Sequence, residues 1–222
     1  YEIADCLVGS EMCIRDRSTK LEDDEKKLLQ EWGINKEKKI ILVPGRLTAW
    51  KGHEMFIQSL NLVKIELGYE AFHAVILGNE QGRDLYKKKL MQLTEQYHLT
   101  NQIKFIDHCK DMALAYKISD IVISPSIEPE AFGRVAVEAQ SMEKLIIASN
   151  IGGSNETIID GKTGLLFEAG DPNSLSKRII QAVTLDESSY KTMCKEGRKN
   201  IAKKFNVEKM CFSTYSEYKR LL

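Results

Sequence analysis

The chain has 222 residues, with 32 acidic and 32 basic side chains and a formal net charge of zero. That balance excludes a nucleic-acid binder working through a broad positive field, though not a local cluster of cations aimed at one phosphate. Hydrophobic residues make up 43%, enough for a substantial core, and no apolar run approaches the roughly 18 residues that span a bilayer.

Residues 1–17 stand apart. Glu11 to Arg17, EMCIRDR, reads as the in-frame translation of a common sequencing-library adapter, and the preceding CLVGS has the same character. The segment is therefore expected to be non-native and has no place in a fold reading. It holds Cys6 and Cys13. The other three cysteines, Cys109, Cys194 and Cys211, show neither C-x-x-C spacing nor companion histidines. They read as reduced thiols of a cytosolic protein, not as a disulfide frame or zinc site.

Residues 18–37 are charged, with Leu28, Leu29 and Trp32 at near-helical spacing before Gly33, and predict a linker with a short amphipathic helix. The continuous apolar run KKIILVP ends at Pro44-Gly45, as suits a parallel strand buried on both faces. A helix with Phe56, Leu60, Val63 and Leu67 on one face follows, then a second strand over Ala71 to Gly78. Tyr86, Leu90, Leu93 and Tyr97 mark another helix, and Ile103 to Ile106 a third strand. Asp120 to Ser126 is the fourth strand, a helix opens near Gly133, and Leu145 to Ser149 and Thr163 to Phe167 are the fifth and sixth strands. Asp171-Pro172 is a helix start, with aspartate as N-cap and proline at the first helical position. Leu175, Ile179 and Val183 give that helix its buried face. Two last helices carry Tyr190, Cys194 and Ile201, and then Cys211, Tyr215, Tyr218 and Leu222. Alternating strands and helices specify a doubly wound, Rossmann-like α/β sheet over residues 38–205, with ligands expected at the carboxyl ends of the strands.

Three strand-end loops hold the unusual residues. GRLTAWKG, Gly45 to Gly52, sets Arg46 and Lys51 in a turn with glycine at both ends. Such cations can neutralise a diphosphate, Arg46 through a planar fork and Lys51 as a point charge; a loop with two solvated cations fits equally. PSIEPEAFGRVAVEAQ, Pro125 to Gln140, is more informative. Gly133 opens a helix whose first amides, at Gly133, Arg134 and Val135, would face an anion with help from the helix dipole. Glu138 could accept two hydroxyl hydrogens from a ribose diol, and Glu130 likewise from a sugar. Arg134 and Glu138 could instead be an ordinary surface pair worth about 0.3–0.5 kcal/mol. In the third loop, Ile151 to Gly164, Gly152-Gly153 permits close backbone approach to a ligand. Its Gly-Lys-Thr is not a phosphate-binding loop, since that motif needs glycine where Glu156 stands.

Other chemistry finds little support. There is no G-x-G-x-x-G, no H-E-x-x-H, no G-x-S-x-G, and no D-x-D to hold a metal-bound sugar nucleotide. His53, His73, His98 and His108 are scattered and read as structural or solvated. Met112 reads as core, with packing against a nucleobase as the lesser alternative.

Taken together and in this order, the three loops resemble glycosyltransferase family 4. The shared features are Gly45-Arg46-Leu47 with Lys51-Gly52; Glu130 with Phe132-Gly133 and Glu138-Ala139; and Gly152-Gly153 with Glu156, Gly161 and Gly164. The similarity runs from about Trp32 to Phe205. It implies the C-terminal, donor-binding half of a bilobal GT-B enzyme that transfers sugar with retention of anomeric configuration and without metal or cofactor. The donor would be a nucleoside-diphosphate sugar of UDP or GDP type, and the acceptor a glycan or a lipid-linked, lipopolysaccharide-type molecule. Arg46 and Lys51 would hold the diphosphate and stabilise its charge as it leaves, and Glu130 would bind hydroxyls of the transferred sugar. Glu138 would take the ribose, backbone near Cys109 the base, and the amides at Gly133 to Val135 the phosphates, with Gly45 and Phe132 in the same donor site. The two glutamates are not the acid and nucleophile of a glycosidase, which must flank the anomeric carbon.

The sequence also departs from the family. Asp107 stands where a glycine is usual after the third strand, and Glu143 and Leu145 replace a common glycine and proline after the glutamate helix. The N-terminal domain, which would supply acceptor contacts, is absent, so the chain is expected to be a truncated, inactive piece. Residues 206–222 would pack back on that domain, and contact with the inner membrane would fall to it, the enzyme being otherwise cytoplasmic. A donor-binding module without turnover, or a sugar-nucleotide epimerase of the same fold, are the alternatives. Epimerases place additional carboxylates and histidines in the site, and none are seen.

Overall fold

The structure, a computed structural model, describes residues 20–82, 84–205 and 207–221. The adapter-like segment with Cys6 and Cys13, and Leu222, lie outside the described residues. In chain order the elements are α1 (Lys20–Trp32), β1 (Lys39–Pro44), α2 (His53–Leu67), β2 (Phe72–Leu77), α3 (Asp84–Gln96), β3 (Ile103–Ile106) and α4 (Met112–Ile118). There follow β4 (Ile121–Ser124), α5 (Arg134–Ser141), β5 (Leu145–Ser149), α6 (Ser154–Thr157), β6 (Leu165–Phe167), α7 (Pro172–Val183), α8 (Glu187–Lys204) and α9 (Val207–Leu221).

The six strands form one parallel sheet in the order β3-β2-β1-β4-β5-β6, the doubly wound architecture that the alternating pattern predicts. The continuous apolarity of the inner strands has a simple cause. Ile41, Val43, Ala74 and Ile76 point into one core, while Ile40, Leu42, Val75 and Leu77 alternate with them and point into another. The first core is closed by α2, α3 and α7 through Phe56, Leu60, Leu90, Leu175 and Ile179. The second is closed by α1, α4 and α5 through Leu29, Trp32, Tyr116, Ala136 and Ala139. Burying both faces supplies the main driving force for the fold, at about 25 cal/mol for each Å² of apolar surface removed from water.

Local signals hold where they were strong. The Asp171 carboxylate accepts from the Asn173 amide at 2.8 Å with Pro172 in the first turn of α7. The charged segment that reads as a linker packs on the sheet domain: Leu29, Trp32 and Ile34 are buried, and α1 lies against α4. Glu143 sits at φ 52, the left-handed conformation for which a glycine would be usual, and Arg198 donates to it at 3.2 Å. On α9, Phe212, Tyr215 and Tyr218 are 70%, 59% and 65% exposed. No helix among the described residues is long and apolar enough to cross a membrane.

Candidate functional site

The winding order locates the site. From β1 the chain steps outward through β2 to β3, then returns to β4 on the other side of β1. The connections leaving β1 and β4 therefore diverge, opening a crevice at the carboxyl ends of these two strands. The loops that occupy it are residues 45–52 and 125–133, and residues 150–153 after β5 lie beside them.

These loops interlock through glycines. The Gly45 amide donates to the Leu77 carbonyl at 2.9 Å, and a Cβ on Gly78 would stand 2.0 Å from the Gly45 oxygen. Leu47 is buried and its amide donates to Asn79 at 3.0 Å, anchoring the loop beside exposed Arg46. A single 3-10 turn, Ala49–Lys51, closes at Gly52, whose φ of 72 and close approach to the Pro125 oxygen (1.9 Å from a built Cβ) admit no side chain. The Ile127 amide donates to the Trp50 carbonyl at 2.8 Å, joining the first loop to the second. On the other side, Cβ atoms on Gly152 or Gly153 would collide with backbone of Glu130 or Phe132, and the Gly153 amide donates to the Glu130 carbonyl at 2.8 Å. The Gly152-Gly153 pair thus admits protein backbone: it clamps the peptide that carries Glu130.

On this frame Lys51 and Glu130 meet. Lys51 Nζ lies 2.8 Å from Glu130 Oε1, with the side chains 14% and 17% exposed. Ser126 Oγ donates to the same oxygen, and the Lys51 ammonium also stands over the Trp50 ring at 4.5 Å from its centroid. A pair this far from water is stronger than an exposed one, and removing either partner strands the other charge.

α5 starts at Gly133, φ 74, and its first intrahelical bond runs from the Ala136 amide to the Gly133 carbonyl at 3.0 Å. The amides of Gly133, Arg134 and Val135 precede that bond and form the positive end of the helix dipole. Glu138 stands one turn further along α5, and the Tyr116 hydroxyl donates to its Oε2 at 2.6 Å. Arg134 is exposed, and Val135 packs against the second core. The Phe132 ring turns to Phe205, edge-on at 5.6 Å. Cys109 lies in the loop before α4 and donates its thiol hydrogen to the Asp111 carbonyl at 3.2 Å; burial pushes the thiol pKa up. Asp107 pairs with Lys87, whose ammonium is held protonated to higher pH by that carboxylate.

The histidines stand as structural or surface groups. His53 begins α2 directly beneath the first loop and is 1% exposed; burial and the nearby Lys51 charge lower its pKa to about 4. His73 is buried in β2, and His98 and His108 are exposed.

The sequence pattern of the family described as glycosyl transferases group 1 matches residues 24–200. The chain belongs to this family. The capsular polysaccharide biosynthesis glycosyltransferase CapM of Staphylococcus aureus is 28% identical over 191 residues, covering 86% of this chain and 47% of CapM. A glycosyltransferase from Rickettsia africae superposes with a TM-score of 0.83 at 31% identity, over 89% of this chain and 52% of that one. HepE from Anabaena, solved in complex with UDP and glucose, superposes with a TM-score of 0.79 at 26% identity, over 90% of this chain and 53% of HepE. The chain spans about half the length of these three proteins, and its fold is that of a C-terminal domain of the GT-B type.

Of the residues expected in the site, the structure joins Lys51 to Glu130 and sets Glu138 on the helix that Gly133 opens. Two participants carry no signal of their own in the sequence. Ser126 sits inside the second loop, where only its spacing of four from Glu130 could suggest a role. Tyr116 is 22 residues from Glu138 in the chain and reaches it only through the shared second core.

Proposed function

We propose that the longer enzyme to which this chain corresponds transfers a sugar from a nucleoside-diphosphate sugar, of UDP or GDP type, to a glycan or lipid-linked acceptor. Transfer proceeds with retention and without metal or cofactor, as expected of a family 4 enzyme. This chain carries the donor side and turns over nothing alone, because transfer needs both substrates held at near-attack distance. The observation that carries the reading is the Lys51–Glu130 contact at 2.8 Å beside the amino end of α5. It gathers, at one crevice, a cation for the leaving diphosphate, a carboxylate for sugar hydroxyls and helix amides for phosphate oxygens.

The chemistry follows from charge. Breaking the glycosidic bond to the diphosphate leaves negative charge on its oxygens, and fixed positive groups there lower the barrier most. Lys51 has three donors, so it can keep Glu130 while taking a phosphate oxygen. Glu130, fixed by Lys51 and Ser126 on one oxygen, then offers its other oxygen to a sugar hydroxyl. Arg46, exposed at the mouth, is placed to add a fork of donors. Glu138 accepts the ribose hydroxyls and backbone near Cys109 meets the base. The acceptor binds the part of the enzyme beyond this chain, where the exposed aromatic face of α9 also packs; the enzyme is cytoplasmic, and any contact with the inner membrane belongs to that part.

The test is the stereochemistry of the product made by the full-length enzyme, followed by proton NMR with excess EDTA present. The reading expects a product with the anomeric configuration of the donor. Inversion, or strict dependence on magnesium or manganese, overturns it.

A further inference from the structure

We infer that Tyr116 is a positioning residue that aims Glu138 at the donor ribose. The inference rests on the ribose reading of Glu138 given above and adds to it the group that fixes the carboxylate.

Glutamate has three rotatable side-chain bonds, and holding it in one pose costs rotamer freedom. The Tyr116 hydroxyl removes much of that freedom. It donates to Glu138 Oε2 at 2.6 Å from a ring only 3% exposed, embedded in the second core with Ala115, Ile118 and Ala136. Few bonds of Tyr116 can move, because α4 is itself pinned: Asp111 caps it, accepting from the Leu114 amide at 3.0 Å.

The kind of donor matters as much as its position. Lys51 brings a positive charge to Glu130, whereas Tyr116 brings a neutral hydroxyl donor to Glu138. A charged acceptor makes the stronger hydrogen bonds to hydroxyls. Tyr116 also ties two subsites together, since α4 begins directly after the loop of Cys109, which the donor reading assigns to the base. Base loop and ribose carboxylate are therefore referenced to the same short helix.

Titration calorimetry of this chain tests the inference, using whichever of UDP and GDP the wild-type chain binds and the dideoxy analogue that lacks both ribose hydroxyls. Tyr116→Phe keeps the buried ring and deletes the hydroxyl that donates to Glu138. It should weaken the ribonucleotide about five- to tenfold, the effect of one oriented hydrogen bond, and shift the dideoxy analogue less than about twofold. Glu138→Ala is the control for the underlying reading and should lose more, again only with the ribonucleotide. If Glu138→Ala has that effect and Tyr116→Phe has none, the ribose reading stands and the positioning role is wrong. If Tyr116→Phe weakens both ligands alike, the hydroxyl acts on general structure and the inference also fails. If Glu138→Ala changes nothing, or the wild-type chain binds neither diphosphate, the donor reading falls and takes this inference with it.

Discussion

The two ends of the sheet use polar side chains differently. At the amino end, beside ion pairs such as Lys38–Glu70 and Lys117–Glu25, several polar side chains bond to backbone. Asp120 accepts from the Ile40 amide at 2.8 Å, Tyr190 donates to the Asp120 carbonyl at 2.8 Å, and Lys144 donates to the Lys117 carbonyl at 2.8 Å. These bonds tie the starts of β1, β4 and β5 to α4 and α8, and burial accordingly lowers the Lys144 pKa. At the carboxyl end charge meets charge or hydroxyl: Lys51 and Ser126 on Glu130, and Tyr116 on Glu138. A backbone carbonyl is a partner that no ligand replaces, whereas a lysine on a carboxylate can be shared with an incoming phosphate. The amino end therefore reads as stability and the carboxyl end as function.

Substitutions at the two ends should separate accordingly. The largest effect is expected at the carboxyl end, where Lys51→Ala and Arg46→Ala in the full-length enzyme should each lower kcat on the order of 10²-fold or more. Steady-state rates at saturating donor measure this, and wild-type turnover in both variants would remove the diphosphate assignment.

A second effect belongs to the floor of the same end. Native His53 refuses a proton until the pH falls to about 4, whereas an unfolded histidine accepts one near 6.5. Between these values the unfolded chain binds more protons, so stability must fall as the pH drops through the window and level off below it. The loss attributable to His53 is roughly 3 kcal/mol. Urea unfolding of wild type and His53→Gln at several pH values should show the slope reduced in the variant; parallel curves would mean that the imidazole is hydrated.

The amino end should show the opposite signature. Tyr190→Phe removes the hydroxyl that reaches the Asp120 carbonyl and should cost about 1 kcal/mol of stability, as a lost neutral hydrogen bond does. Nucleotide affinity should stay unchanged, and a loss of affinity without loss of stability would erase the contrast drawn between the ends. The smallest expected effect is none: EDTA should leave the turnover of the full-length enzyme as it was.

The sequence carries the fold where local and global signals coincide. The run Ile40–Val43 suits an inner strand and Asp171-Pro172 a helix start, and the structure has both. The candidate site stands out in the sequence as three loops because glycines, cations and glutamates cluster there. Their couplings were not. Lys51 and Glu130 are 79 residues apart, and nothing local in either loop specifies that the cation lands on the carboxylate. Gly152 and Gly153 advertise a close approach without saying by what, and backbone rather than ligand fills the gap. Tyr116 looks like any core aromatic of a short helix until its hydroxyl meets Glu138. Glu143 illustrates the reverse case, where a side chain holds a conformation that glycine favours, steadied by Arg198. Spacing along a chain encodes faces of elements, not which faces meet.

The central claim, a donor site at the carboxyl end of the sheet, is tested most directly by calorimetric titration of the 222-residue chain with UDP and GDP. The account predicts weak but measurable binding of one of them, lost in Lys51→Ala and Glu138→Ala and kept in Tyr190→Phe. A folded chain that binds neither nucleotide, or binds one with the same affinity after both carboxyl-end substitutions, would contradict it.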